Sequence, residues 1–310
     1  MPVIAAAACG SDNTAAPDSA PTTNDRAVLE LVTESIQLGG APWSVAVAGD
    51  AVWVGDAARG AVARVDAASG DLVAEFATGA PDPRDAGIAV ADGQLWVANL
   101  GGTVGVLDAV TGQAAGRVAM GEGEPAAVAL DDRWAWVPTH GPGGGLVRLD
   151  RTRPSTDPLR VALPESGFAV TVADETVWVA GLDGRVFAID APSARVVRTF
   201  DVGGAPRGVA VADGDVWVTL RDARAVVRLD ATSGDEVARI PTGGQPWPVA
   251  AGGGYVWVAT LEGRLLRIDP TRNDVTAEAE VGPEARGVAV GASDVWVASQ
   301  SGVLTRVRTE

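Results

Sequence analysis

Several residue types that build common functional sites are scarce or missing in this 310-residue chain. One cysteine, Cys9, excludes an intrachain disulfide, and one histidine, His140, excludes the paired Cys/His sets that bind zinc. There is no lysine, so all 24 basic residues are arginine, and 40 acidic residues outnumber them. The net charge of −16 argues against nucleic acid and anionic lipid as partners. No apolar run approaches the length of a membrane span.

The N-terminal segment has the composition of a tether. The stretch AAACGS, residues 6–11, resembles a bacterial lipobox, in which small residues precede a cysteine that is lipidated. Ser, Thr, Asn, Asp and Pro dominate the residues after Cys9, which predicts disorder. Because few residues precede Cys9 and none is basic, we interpret 1–27 as a truncated lipoprotein signal and its disordered tether.

This interpretation predicts an extracytoplasmic bacterial protein from a high-GC genome, held at the cell membrane by a lipid on Cys9. The membrane would then be a partner through that anchor alone. The alternative is a disordered cytosolic tail with an incidental cysteine.

Internal repetition dominates the rest of the chain. The word GVAVADGDVWV, at Gly208–Val218, has six close variants, and each ends on a tryptophan followed by an apolar residue. A period of about 40 residues predicts a repeat architecture. The seven central tryptophans are Trp53, Trp96, Trp136, Trp178, Trp217, Trp257 and Trp296.

Each repeat contains four short apolar runs separated by Gly, Asp and Ser turns. Around Trp217 these runs are Val209–Val211, Val216–Thr219, Ala225–Leu229 and Glu236–Ile240. Runs of this kind predict antiparallel strands joined by hairpins. Residues 28–310 are therefore predicted to form an all-β, seven-bladed β-propeller with four antiparallel strands per blade.

Two further expectations follow from the repeat. The last unit lacks its fourth run, so Val28–Leu38 is predicted to complete the seventh blade and close the ring. Because middle strands are covered on both faces, the central tryptophans are predicted to be packing wedges between blades. Asp turn caps are predicted at Asp66, Asp108, Asp150, Asp190, Asp230 and Asp269.

The repeat wording carries a family resemblance over residues 28–310. LWVAN at Leu95–Asn99, the downstream VLDAVTG and the GxxPxxVAV words resemble the YVTN-type repeat propellers and are similar to the virginiamycin B lyase-like propellers. The resemblance implies the propeller fold. In the lyase-like relatives it also implies a Glu three residues after the repeat aromatic, with Glu and His around a bound magnesium.

This chain departs from the lyase-like pattern at all seven of the matching positions. None of them is Glu, and His140 lies one residue beyond one of them. The residues there are Asp56, Asn99, Thr139, Gly181, Leu220, Thr260 and Ser299. Asp56 and Asn99 are neighbours in ring order and form a candidate cation pair, but two oxygen ligands are too few for calcium. No metal site and no cofactor are therefore assigned, and His140 is interpreted as a passive loop residue.

The candidate binding site lies on the face of the ring whose loops vary between copies. Two residues before the leading Val of the first strand, blades 4, 5, 6, 7 and 1 carry large side chains. In that order they are Phe168, Arg207, Trp247, Arg286 and Trp43. We name this set the mouth arc. Indoles stack on rings and guanidinium groups bind carboxylates or phosphates, so the arc predicts an anionic or aromatic ligand. The alternative is that each Arg pairs with a neighbouring acid and each Trp caps the packing.

The favoured function is thus a non-catalytic extracytoplasmic binding or scaffold module that recognises an envelope ligand or a protein partner at this face. The alternative is a metal-dependent lyase or hydrolase of the virginiamycin B lyase-like type with a degenerate site. Fold alone does not choose between them, because propellers serve many functions.

Overall fold

The computed structural model describes residues 29–79, 87–99, 101–154, 158–164 and 166–309. Cys9 and the predicted tether over 1–27 lie outside these ranges. Regular structure within them consists of β-strands. The described part of the chain contains no helix that is both long and apolar enough to cross a membrane.

The strands form seven antiparallel sheets arranged as the blades of a propeller, which confirms the predicted fold. Strands are given from the axis outward. Blade 1 comprises Pro42–Ala48, Ala51–Asp56, Ala61–Asp66 and Leu72–Ala77, and blade 2 comprises Gly87–Ala91, Gln94–Asn99, Thr103–Asp108 and Ala114–Ala119. Blade 3 comprises Glu124–Pro125 with Ala129–Leu130, Trp134–His140, Gly145–Asp150 and Leu159–Val161. Blade 4 comprises Gly167–Ala173, Thr176–Gly181, Arg185–Asp190 and Arg195–Asp201.

Blades 5 to 7 continue the ring. Blade 5 comprises Pro206–Ala212, Asp215–Leu220, Ala225–Asp230 and Glu236–Pro241. Blade 6 comprises Pro246–Gly252, Tyr255–Thr260, Arg264–Asp269 and Asp274–Glu280. Blade 7 comprises Ala285–Val290, Asp294–Ser299, Val303–Arg308 and Thr33–Gln37. Blade 3 is the irregular one. Its first strand is broken in two and its fourth spans Leu159–Val161, at the Pro-rich stretch 151–168.

The N-terminal strand closes the ring as predicted, but over a shorter span than Val28–Leu38. Thr33–Gln37 pairs antiparallel with Val303–Arg308 in blade 7. Upstream, Leu29–Glu30 instead pairs parallel with the outer strand of blade 6. Leu31 explains the crossing, because its side chain packs against the apolar core between blades 6 and 7.

Seven apolar cores lie between successive blades, and each contains one central tryptophan. The Trp217 indole of blade 5 packs with Val256 and Val258 of blade 6. The ring closes in the same way, since Trp296 of blade 7 packs with Val52 and Val54 of blade 1. The seven indoles are buried, which confirms their packing role. Each apolar–Trp–apolar word thus contributes its indole to the core on one side of its blade and its flanking aliphatic side chains to the core on the other side, as Trp217 with Val216 and Val218 shows.

The six predicted aspartates cap their turns. In blade 5, Asp230 Oδ1 accepts hydrogen bonds from the backbone N–H groups of Thr232 at 2.8 Å and Ser233 at 2.6 Å. Such bonds favour the charged carboxylate and hold the pKa of Asp230 below its usual value. Backbone hydrogen bonds likewise lower the pKa values of Asp66 and Asp108. For Asp150, Asp190 and Asp269 the largest cause of the lowered pKa is a hydrogen bond from a Thr or Ser hydroxyl in the turn, with backbone bonds adding to it.

Candidate functional site

The mouth arc is positioned by a bulge in the innermost strand of each contributing blade. In blade 5 the pairing passes from Pro206–Leu220 directly to Gly208–Thr219, which leaves Arg207 as the extra residue. The register shifts at the same place in blades 1, 4, 6 and 7. A bulge breaks the alternation of a strand and redirects a side chain. Here the bulged residues are Trp43, Phe168, Arg207, Trp247 with Pro248, and Arg286.

These side chains converge on Trp247. The rings of Trp43 and Phe168 meet the Trp247 ring edge to face, with centroid distances of 6.2 and 5.7 Å. The guanidinium carbon of Arg286 lies 4.0 Å from the Trp247 centroid, and that of Arg207 lies 5.1 Å from it. The structure therefore brings all five predicted residues together in one cluster at the channel mouth.

The two arginines of the arc differ in their partners. Arg286 forms an ion pair with Glu284 and donates from Nε to Gln300 Oε1 at 3.2 Å. This matches the alternative expectation of a neighbouring acid. The sequence analysis did not predict the ion pair between Glu284 and Arg286, although Glu284 lies two residues before Arg286 and could have indicated it. Ala205 occupies the equivalent place before Arg207.

Arg207 has no such acid. Among the described residues no carboxylate lies within salt-bridge distance of its half-buried guanidinium, and its buried Nε has no hydrogen-bond partner. Its Nη1 reaches the Pro206 carbonyl at 3.5 Å, the outer limit of a hydrogen bond. Nearby Asp222 is engaged by Arg221 at 2.8 Å.

The charges around Arg207 and its burial both affect the pKa of its guanidinium. Burial lowers the pKa of Arg207, and repulsion from Arg221 and Arg286 lowers it further, while Asp222 acts in the opposite direction. The guanidinium still carries its charge at neutral pH because its ordinary pKa is far above 7. The charged residues among the described lining of the channel mouth, Arg207 and Arg286, are both positive, in a chain whose net charge is −16.

A cavity of about 220 Å³ lies at this mouth, and the innermost strands of all seven blades line it. The five large arc residues occupy the side formed by blades 4 to 7 and 1. On the side of blade 3, Ala126 stands at the equivalent position. The cavity is therefore lopsided, with bulky charged and aromatic groups facing small ones.

His140 is the last residue of the second strand of blade 3 rather than a loop residue as predicted, and it lies beside the arc rather than within the cavity lining. Its ring centroid is 6.3 Å from that of Phe168, and its Nδ1 is 3.9 Å from Glu124 Oε2, which is beyond hydrogen-bond distance. Glu124 pairs with His140 across two strands, a relation that the sequence argument missed. This geometry gives His140 no oriented partner for acid–base work.

The positions that match the lyase-like Glu do not fit a magnesium ion. Asp56 Oδ1 accepts backbone N–H bonds from Ala41, Ala58 and Arg59 at 3.1, 2.9 and 3.0 Å, and its Oδ2 binds Arg59 Nε at 2.7 Å. Asn99 Oδ1 caps Gly101 at 2.9 Å. The Asp56 carboxylate is thus occupied by hydrogen bonds from the loop that follows it and from Ala41. Within the described ranges no three His, Cys, Asp or Glu side chains are grouped as metal ligands.

A larger groove, of about 510 Å³, lies on the opposite face between blades 3 and 4. Its aromatic residue, Trp134, is already stacked by the guanidinium groups of Arg133 and Arg148 at 4.4 and 4.1 Å. Arg148 also donates to the carbonyl oxygens of Ala191 and Pro192 at 3.1 Å. Arg148 is hydrogen-bonded and Arg133 is exposed to solvent, whereas Arg207 is half-buried and no described carboxylate pairs with it. The mouth is therefore the stronger candidate.

Comparison with known proteins supports the fold. No protein-family model matches the chain, and no curated protein matches it. Virginiamycin B lyase from Staphylococcus aureus superimposes with a TM-score of 0.79 at 16% identity, covering 91% of this chain and 100% of the lyase. A streptogramin B lyase structure also gives 0.79, at 18% identity, covering 90% of this chain and 97% of the other.

At such identity the likeness is one of fold and carries no activity with it. The YVTN-type relationship stays a prediction. The chain is a seven-bladed β-propeller similar in fold to these two lyases.

Proposed function

We propose that this chain is a non-catalytic, extracytoplasmic binding module that binds a small organic anion at the channel mouth. Arg207 carries the proposal. Among the residues that the structure describes, no carboxylate pairs with its half-buried guanidinium. A buried charge without a partner raises the free energy of the folded protein, and an anionic ligand would supply that partner. Binding therefore repays part of a cost that folding has already incurred.

The rest of the arc prepares Arg207 for this role. Phe168 and Trp247 each lie 5.1 Å from its guanidinium carbon and restrict where that group can move. Arg286, held by Glu284, adds positive potential without competing for the same ligand atoms. A guanidinium restrained in this way loses little entropy on binding a carboxylate through two parallel hydrogen bonds.

Calorimetric titration of the full chain with acetate, benzoate, phenyl phosphate and inorganic phosphate tests the proposal. We expect saturable binding of at least one anion, weakened about tenfold or more by Arg207→Met. Arg239→Met is the matched control, because Arg239 lies on the outer strand of the same blade and pairs with Glu236. Equal affinities in the two variants, or no binding of any anion, would contradict the proposal and favour a protein partner.

The extracytoplasmic placement rests on the lipobox-like stretch around Cys9. Fractionation of native cells that produce the wild-type or the Cys9→Ser protein tests it. The proposal requires the wild-type protein in the membrane fraction and the Cys9→Ser protein outside it. Recovery of both proteins from the cytosol would overturn the lipid anchor.

The second candidate is a metal-dependent lyase with a degenerate site, and the fold likeness to the two lyases favours it. It requires a divalent cation, for which Asp56 offers the one carboxylate at the matching positions. Titration of the full chain with MgCl2 discriminates the two functions. Magnesium binding that Asp56→Asn abolishes would support the lyase, whereas no binding supports the non-catalytic module.

A further inference from the structure

The channel mouth is polarised along its axis. Two residues beyond each arc position, about 7 Å along the strand, every blade contributes one aliphatic residue that packs in an inter-blade core and borders the cavity with its remaining surface. We call this ring the aliphatic collar. It consists of Val45, Ile88, Val128, Val170, Val209, Val249 and Val288. Positive charge thus lies at one level of the cavity, and the edges of seven aliphatic residues border the next level. Four of these residues, Val45, Ile88, Val128 and Val209, are buried, with 9%, 8%, 7% and 6% of their surface exposed.

The cavity is also polarised across its width. The Arg207 and Arg286 guanidinium groups lie on blades 5 and 7, while Ala126 and Ala127 line the side of blade 3. The equivalent positions of blades 1 and 6 carry Trp43 and Trp247, which also line the cavity. Among the described lining residues, the side of the cavity opposite the charged groups therefore carries the small apolar side chains of Ala126 and Ala127.

The size of the cavity limits the occupant. A cavity of about 150 Å³ lined by aliphatic and aromatic groups holds a benzene molecule. The mouth cavity, at about 220 Å³, has room for one substituted ring or a short acyl chain. It falls below the roughly 300–1,000 Å³ of sites for drug-sized ligands.

Resting on the proposed anion binding at Arg207, we infer that the ligand is a small amphiphilic carboxylate. Its carboxylate binds at Arg207, and its apolar body, a single aryl ring or a short alkyl chain, lies on the aliphatic collar beside Ala126. Arg207 supplies recognition of charge. Ala126 and the collar set the size limit. Burial of a ring against the collar adds affinity in proportion to the apolar area removed from water.

Two ligand comparisons on the wild-type full chain test this inference by calorimetry. Acetate and benzoate share the carboxylate and differ in the apolar body. Benzoate and benzamide share the ring and differ in charge. We expect benzoate to bind at least about tenfold more tightly than either, and 2-naphthoate to bind more weakly than benzoate because its second ring exceeds the cavity.

A variant pair tests the location of the apolar body. Ala126→Phe should lower the affinity for benzoate about tenfold and leave that for acetate unchanged, while Ala77→Phe, on the exposed outer strand of blade 1, should change neither. Equal binding of acetate and benzoate would overturn the inference while anion binding at Arg207 stood. Full benzoate affinity in Ala126→Phe would also overturn it. If the wild-type chain binds none of the anions, both this inference and the proposed anion binding at Arg207 are overturned.

Discussion

Arg306 in the last blade donates from Nη1 to the carbonyl oxygen of Ala68 in the first blade at 3.0 Å, although 238 positions separate them. Its Nη2 donates to Asp294 at 2.8 Å, in a pair whose side chains are 12% and 10% exposed. The bond to Asp294 raises the pKa of Arg306. One guanidinium thus joins the seventh blade to the first across the seam of the ring.

We predict that Arg306→Met lowers the free energy of unfolding by about 3 kcal/mol, because it leaves Asp294 buried without its partner and removes a bond across the seam. Arg198→Met is the control, since Arg198 makes a weaker inter-blade bond to Ala231 at 3.4 Å in an exposed setting. Urea denaturation measures both. Similar losses in the two variants would show that the seam contact is not special.

Stability should fall in acid because of the six turn aspartates. Their pKa values are lowered in the folded state from an ordinary value of 3.8, chiefly by hydrogen bonds from neighbouring backbone and hydroxyl groups. The unfolded chain therefore binds protons first. The stabilisation is complete above the unfolded pKa and is lost as the pH falls through the lowered folded values.

Urea denaturation from about pH 7 to about pH 2 measures this dependence. A variant with Asn at all six turn positions is the matched comparison, because the amide oxygen still accepts the backbone hydrogen bonds but has no charge to lose. We expect a shallower loss of stability in acid for this variant. The same slope in both proteins would assign acid sensitivity to other groups.

Tryptophans in the inter-blade cores and at the mouth should differ in their cost of removal. Trp217 is fully buried between blades 5 and 6, whereas Trp247 is half-buried at the mouth. We expect Trp217→Ala to cost about 3–5 kcal/mol through the cavity that it leaves. Trp247→Ala should cost clearly less and weaken benzoate binding. Equal destabilisation in urea titrations would make Trp247 a core residue instead.

One turn in blade 4 is strained and can be relieved. Asp174 and Glu175 both have positive φ, at 46° and 61°, where blades 2 and 5 place Gly second, as at Gly214. Positive φ is costly for a residue with a side chain, so Glu175→Gly should stabilise the protein by about 1 kcal/mol. Gly214→Ala should destabilise it by a similar amount. Thermal denaturation measures both, and a loss of stability in Glu175→Gly would assign Glu175 a favourable contact.

Much of the fold could be predicted because its determinants are local and repeated. The spacing of the central tryptophans predicted the number of blades. The lack of a fourth run in the last unit predicted that the N-terminal segment closes the ring, and Thr33–Gln37 does so. The assignment of all of Val28–Leu38 to blade 7 was wrong in part, since Leu29–Glu30 joins blade 6. That exchange depends on where the Leu31 side chain is buried, and the repeat pattern holds no information on it.

The candidate site was predictable in its members but not in its chemistry. Position in the repeat identified the five arc residues, and the structure places them around Trp247. The words PRGVAV and ARGVAV make Arg207 and Arg286 look alike. The fold separates them, because Glu284 forms an ion pair with Arg286, whereas Ala205 stands at the matching place before Arg207 and no described carboxylate pairs with Arg207.

The sequence by itself determined the number of blades, the identity of the inter-blade wedges and the capped turns, since each depends on contacts within one repeat or between consecutive repeats. Only the tertiary structure decided which charges find partners and where space is left at the mouth. These properties arise where seven distant segments converge on one axis. The distances between side chains there are set by the curvature of the closed ring and by the bulges that turn them inward.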